Sequence, residues 1–168
     1  MKTFLLGFMG TGKTYWGRLW AAQQNLRFFD LDTEIEKHTG LTIPQIFEQH
    51  GETFFRELER ERLHSFDKED DFILSAGGGT PCFYNNMQWM NENGLTIYLD
   101  TPLAVLKDRL LKEKMHRPLI KQLDEQGIEH FIETSIQKRK EYYQQAHIIL
   151  STESISDITF GEIKRKYV

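Results

Sequence analysis

Short apolar runs alternate with longer amphipathic stretches along the chain, the pattern left by a parallel sheet covered by helices on both faces. Five runs read as strands: Thr3–Leu6, Arg27–Asp30, Phe72–Ser75, Thr96–Leu99 and Ile148–Leu150. Thr14–Gln24 predicts a helix, because Trp16, Leu19 and Trp20 recur at i, i+3 and i+4, which marks these aromatics as core side chains. Glu52–Phe66 predicts another, with Phe55, Leu58, Arg62 and Phe66 on one side and Glu57 and Glu61 facing water. Thr101 as cap and Pro102 in the first turn start a helix over Leu103–Leu111, and Glu125–Gln145 predicts a long one. Lys112–Leu123, which mixes basic residues with Arg117-Pro118, is the least regular segment and reads as a mobile loop.

No repeat, low-complexity tract or linker divides these elements, and 168 residues suit a single domain over 1–168. With 39% hydrophobic and 27% charged residues and a mean hydropathy of -0.52, the composition is that of a soluble globular chain. A net charge of -4 removes nucleic acid from the expected partners. Glycines break up the apolar start of the chain, and no run approaches the ~18 residues of a membrane span. Cys82 is the only cysteine, so neither a disulfide framework nor a cysteine-rich metal site is available, and a reducing cytoplasm fits best. The six histidines are scattered without ligand spacing.

The most specific signal is Gly7-Phe8-Met9-Gly10-Thr11-Gly12-Lys13-Thr14, a complete G-x-x-x-x-G-K-S/T motif between a predicted strand and a predicted helix. Glycines let successive backbone amides surround phosphate oxygens at the positive end of the helix. Lys13 then reaches the β- and γ-phosphates, and the Thr14 hydroxyl suits Mg²⁺. The chain lacks an Asn-Lys-x-Asp guanine signature and an apolar strand ending in Asp-Glu, which favours a small-molecule kinase among the nucleotide-binding classes.

Asp30-Leu31-Asp32 closes the second predicted strand, at the sheet edge where ligands collect, and alternation along an extended segment places both carboxylates on one side. One suits a metal through water and the other an acceptor hydroxyl; helix capping by Asp32 is the alternative. Arg56 and Glu59 are spaced i,i+3, so the carboxylate can fix the guanidinium fork, or the two form an ordinary surface pair. Gly77-Gly78-Gly79 after the third strand permits close ligand approach or simply makes a tight turn.

In their order and spacing, Gly7–Thr14, Asp30-x-Asp32, Phe55-Arg56-x-x-Glu59, Gly77–Gly79, Arg117-Pro118-Leu119 and Lys138-Arg139 resemble shikimate kinase along nearly the whole chain. The resemblance implies a three-layer α/β/α fold of P-loop NTPase type, with a central parallel five-stranded sheet in the order 2-3-1-4-5 and a lid over residues 112–123. It implies transfer of the ATP γ-phosphoryl group to the 3-hydroxyl of shikimate, in aromatic amino-acid biosynthesis, by a cytoplasmic monomer that needs Mg²⁺. Lys13, Asp32 and Arg117 would then be catalytic, and Gly10, Thr11, Gly12, Lys13, Thr14, Tyr15, Arg109 and Arg117 would hold the nucleotide. Asp32, Arg56, Gly77, Gly78, Gly79 and Arg139 would hold shikimate, Thr14 and Asp30 the metal, and Glu59 would orient Arg56. Two departures stand out: Tyr15 replaces a small hydroxyl residue, and Lys140-Glu141-Tyr142 replaces a proline-containing stretch. A kinase for another hydroxy acid such as gluconate, and a nucleotide-binding regulatory protein without catalysis, are the other readings.

Overall fold

The structure, a computed structural model, describes residues 1–167. Its strands are β1 (Lys2–Leu6), β2 (Arg27–Asp30), β3 (Phe72–Ser75), β4 (Leu95–Asp100) and β5 (Ile148–Ser151). They form one parallel sheet in the order β2-β3-β1-β4-β5, the expected topology. The helices among the described residues are α1 (Lys13–Gln23), α2 (Leu31–Thr39), α3 (Ile43–His64), α4 (Asn86–Asn93), α5 (Leu103–Glu113), α6 (Glu125–Tyr143) and α7 (Thr159–Tyr167). None is long and apolar enough to cross a membrane.

The period of two along the strands divides the core into two layers. Phe4 and Leu6 of β1 pack with Phe72, Leu74 and Tyr98 under α2, α3, α4 and Tyr143 of α6. Leu5 packs with Ile73, Ile97 and Leu99 on the other face, under α1 and α7. There Trp20 stacks on Phe160 at 5.6 Å between ring centroids. A third cluster joins α5 and α6 around Phe8, with Leu106, Leu110, Ile128 and Ile132.

Several expected boundaries shift, each for a local reason. The chain turns helical at Leu31, so Asp30 and Asp32 do not alternate on an extended segment: Asp30 is the N-cap of α2, accepting from the Thr33 amide at 3.4 Å, and Asp32 lies in the first turn. Helix α3 begins at Ile43 instead of Glu52, because Thr42 and Gln45 form a capping box. Gly51, at φ 81°, kinks the helix before the predicted stretch begins. Pro102, not Thr101, is the N-cap of α5; Thr101 is buried and its hydroxyl accepts from Thr152 at 3.0 Å. Helix α6 stops at Tyr143 before Gln145, while α4 and α7 lie outside the predicted helices. In the segment expected as a lid, α5 runs on to Glu113 and a 3₁₀ turn covers Lys114–His116. The fully buried Ile120 ties its far end to α5 and α6.

Gly94, which caps the end of α4 just before β4, lies so close to β1 that a Cβ there would sit 2.6 Å from the Lys2 carbonyl oxygen and 2.9 Å from the Phe4 ring. Gly94→Ala is expected to cost about 1–3 kcal/mol, lowering the urea midpoint without changing the slope of the transition.

Candidate active site

The loop between β1 and α1 turns sharply at Gly10 and Gly12, both at positive φ (82° and 91°). Thr11 is buried and its hydroxyl donates to the Phe8 carbonyl at 2.9 Å, closing the loop from inside. Lys13 Nζ donates to the carbonyls of Gly7 at 2.8 Å and Phe8 at 3.0 Å. Burial lowers the Lys13 pKa to about 8, against the opposing pull of Asp32 and Asp30. Thr14 Oγ1 donates to Asp30 Oδ2 at 2.9 Å, which brings two hard oxygen donors together beside the loop.

Asp32 stands next to this pair. Burial pushes its carboxyl up to about 6, and the neighbouring charges of Asp30 and Glu59 add to the rise while Lys13 offsets part of it. Arg56 reaches the same region from α3. Its Nη1 donates to Glu59 Oε2 at 2.8 Å, and its guanidinium lies over Phe83 at 4.3 Å and beside Phe55 at 5.0 Å. Arg139 comes from α6 and lies 5.5 Å from the Phe8 ring centroid.

The three glycines after β3 fit between these side chains. A Cβ on Gly77 would lie 2.9 Å from Glu59 Oε1 and 3.4 Å from Asp32 Oδ1. One on Gly78 would lie 3.0 Å from Arg139 Nη1, and one on Gly79 only 2.7 Å from Arg56 Nη2. The Tyr143 hydroxyl donates to the Gly78 carbonyl at 2.6 Å and fixes this strand of backbone from below.

One cleft of about 490 Å³ brings together Gly10, Gly12, Lys13, Thr14, Tyr15, Asp30, Asp32, Gly77, Gly78, Arg109 and Arg117. Of the remaining expected residues, Thr11 is buried, while Arg56 and Arg139 press against Gly79 and Gly78. Arg109 donates to the Gly10 carbonyl at 2.8 Å, and Arg117 pairs with Glu113 through Nε at 2.8 Å. Trp16 departs from its expected role as a purely core side chain: one face stacks on Trp20 at 5.6 Å, and the ring also lines the cleft. No cluster of three or more His, Cys, Asp or Glu side chains suited to a metal occurs among the described residues. An oxygen pair such as Thr14 and Asp30 holds a cation whose other ligands are water and phosphate.

Sequence reasoning left out Thr80, Glu113 and Tyr143. Glu113 lies i−4 from Arg117, a spacing visible in the sequence. Thr80 and Tyr143 act on partners far away in the chain, Glu59 and Gly78, and no local pattern announces them.

Comparison with known proteins places this cleft in context. The family model described as Shikimate kinase matches residues 9–166. The shikimate kinase of Phocaeicola vulgatus is 41% identical over 156 residues, 93% of this chain and 89% of the relative. That of Persephonella marina is 42% identical over 153 residues, 91% of this chain and 90% of the relative. The crystal structure of shikimate kinase from Bacteroides thetaiotaomicron superposes with a TM-score of 0.90 at 36% identity, covering 99% of this chain and 96% of that one. Shikimate kinase from Acinetobacter baumannii, solved in complex with shikimate, gives 0.85 at 31% identity, covering 99% and 91%.

The raised pKa of Asp32 has a thermodynamic consequence in the nucleotide- and metal-free protein. With the folded value at about 6 and the ordinary value at 3.8, ionised Asp32 costs stability above pH 6, and that cost is released as the pH falls toward 3.8. Asp32→Asn is expected to stabilise the fold by about 1–3 kcal/mol near neutral pH, and the gain should fade by about pH 4 in calorimetric melts.

Proposed function

The chain belongs to the shikimate kinase family of ATP-dependent kinases, and we propose that its cleft passes the γ-phosphoryl group of ATP to the 3-hydroxyl of shikimate through the residues described above. The observation that carries this reading is the Gly77–Gly79 backbone, against which the carboxylates of Asp32 and Glu59 and the guanidiniums of Arg56 and Arg139 converge from three different helices. Asp32 suits a hydroxyl, while Arg56 and Arg139 suit the planar carboxylate of a small ring acid.

In this reading the loop amides and Lys13 hold the β- and γ-phosphates, and Arg117 adds positive charge from the side of the cleft. Tyr15, Trp16 and Arg109 border the nucleotide's end of the same cleft. Asp32, ionised at neutral pH yet more basic than a free carboxylate, takes the proton of the acceptor hydroxyl as its oxygen bonds to the γ-phosphorus. The bond from that phosphorus to the β–γ bridging oxygen breaks, and ADP leaves with the electron pair. Thr14 and Asp30 would hold Mg²⁺, Asp30 through water, and the hard oxygens of the pair fit that ion. When bound, the metal neutralises charge on the β- and γ-phosphoryl oxygens.

An acceptor panel read by ADP release tests the assignment. Shikimate is expected to turn over fastest, and faster turnover of gluconate, or ATP binding with no acceptor phosphorylated, would overturn it. In the same assay Asp32→Asn is expected to lower kcat by about 10²–10⁴-fold while ATP affinity stays nearly unchanged. Arg139→Ala is expected to act chiefly on the shikimate KM, by an amount worth about 2–5 kcal/mol, because it strands a desolvated carboxylate.

A further inference from the structure

Glu59 is 1% exposed, so both of its carboxylate oxygens need partners within the protein. Arg56 supplies one, through the Nη1 bond to Oε2 at 2.8 Å. The other comes from a residue with no assigned role: Thr80 Oγ1 donates to Glu59 Oε1 at 2.5 Å. Thr80 is fully buried, and its backbone is anchored on both sides. Its amide donates to the Gly77 carbonyl at 3.1 Å, and its carbonyl accepts from Asn86 Nδ2, itself fully buried, at 3.0 Å.

The geometry has a consequence for Arg56. A guanidinium and a carboxylate left to themselves favour a two-pronged pairing, in which both oxygens face two N–H groups. Here the Thr80 hydroxyl bonds Oε1 and Arg56 bonds Oε2 through Nη1, so the two-pronged pairing is not formed. The guanidinium then lies against the Gly79 backbone, with Nη2 2.7 Å and Nη1 3.0 Å from where a Cβ would stand, and Nη2 makes no bond to Glu59. Phe83 braces the guanidinium plane at 4.3 Å.

We propose that Thr80 is a positioning residue for acid recognition: its hydroxyl, on a backbone that Asn86 anchors through the Thr80 carbonyl, holds Glu59 in a single bond with Arg56 and so leaves Arg56 Nη2 for the substrate carboxylate. This rests on the reading of Arg56 as a shikimate-binding residue. Without the hydroxyl, Oε1 is orphaned in a dry site, and Glu59 rotates to take a second bond from Arg56 at the expense of the substrate.

The test is steady-state kinetics of Thr80→Val, Thr80→Ser and Arg56→Ala, with a melting curve for each. Thr80→Val, close in shape but without the donor, is expected to raise the shikimate KM by about tenfold. The ATP KM should stay within about twofold and kcat within about threefold, and Thr80→Ser should restore the wild-type shikimate KM. A merely structural role would lower the melting midpoint and the active fraction without moving the shikimate KM selectively. An unchanged shikimate KM in Thr80→Val, with Arg56→Ala still raising it, overturns the role of Thr80 alone. An unchanged KM in Arg56→Ala overturns the reading of Arg56 and this inference with it. If Thr80→Val does not fold, Thr80→Cys, similar in shape and a weaker donor, carries the same comparison, with an unchanged shikimate KM counting against the role.

Discussion

The parallel pairing of β1 with β3 is the constraint on which the site depends. Leu5 is aligned with Ser75, and the Ala76 amide extends the ladder by donating to the Leu5 carbonyl at 3.0 Å. The two chains therefore leave the sheet side by side, one as the phosphate-binding loop and the other as the glycine run. A Cβ on Gly78 would stand 3.6 Å from the Gly7 carbonyl oxygen. The phosphate-binding loop and the glycine run are thereby set a few ångströms apart by the sheet itself, at the carboxyl edge of parallel strands where ligands collect.

Around that junction the fold concentrates charge that it would otherwise avoid. Asp30, Asp32 and Glu59 crowd together on one side, and Lys13, Arg56 and Arg139 face them. Burial makes the crowding felt: it raises the Asp32 carboxyl to about 6 and lowers the Lys13 ammonium to about 8. Both shifts bring the pKa values of these groups closer to neutral pH, a pattern that clusters at functional sites. The same burial opposes stability, a familiar conflict at sites arranged for chemistry.

Much of this was legible from residue patterns. The strands stood out because burial on both faces leaves continuous apolar runs such as Phe4–Leu6, and the loop motif fixed β1 and α1 relative to each other. The acidic pair was recognised but its geometry was not. Asp30 and Asp32 looked like alternate positions of a strand, whereas Asp30 caps a helix that starts immediately after it. Helix α4 escaped notice because its Asn-rich sequence has little helical propensity and is held by burial of Met87 and Met90. The start of α3 carried a readable signal in Thr42 and Gln45. Thr80 and Tyr143 had none, since their partners lie 21 and 65 positions away and only the folded chain brings them together.

The glycine run also bears on how this pocket can be altered. Each of its three missing side chains makes room for a different group, so adjacent codons answer to separate neighbours and none is free to drift alone. Directed evolution toward bulkier or differently charged acceptors would gain nothing by randomising that stretch. The more open route runs through the aromatic brace at Phe83, which is only partly buried and touches Arg56 by its ring face. Reshaping there would move the Arg56 guanidinium while leaving the phosphate-binding loop untouched.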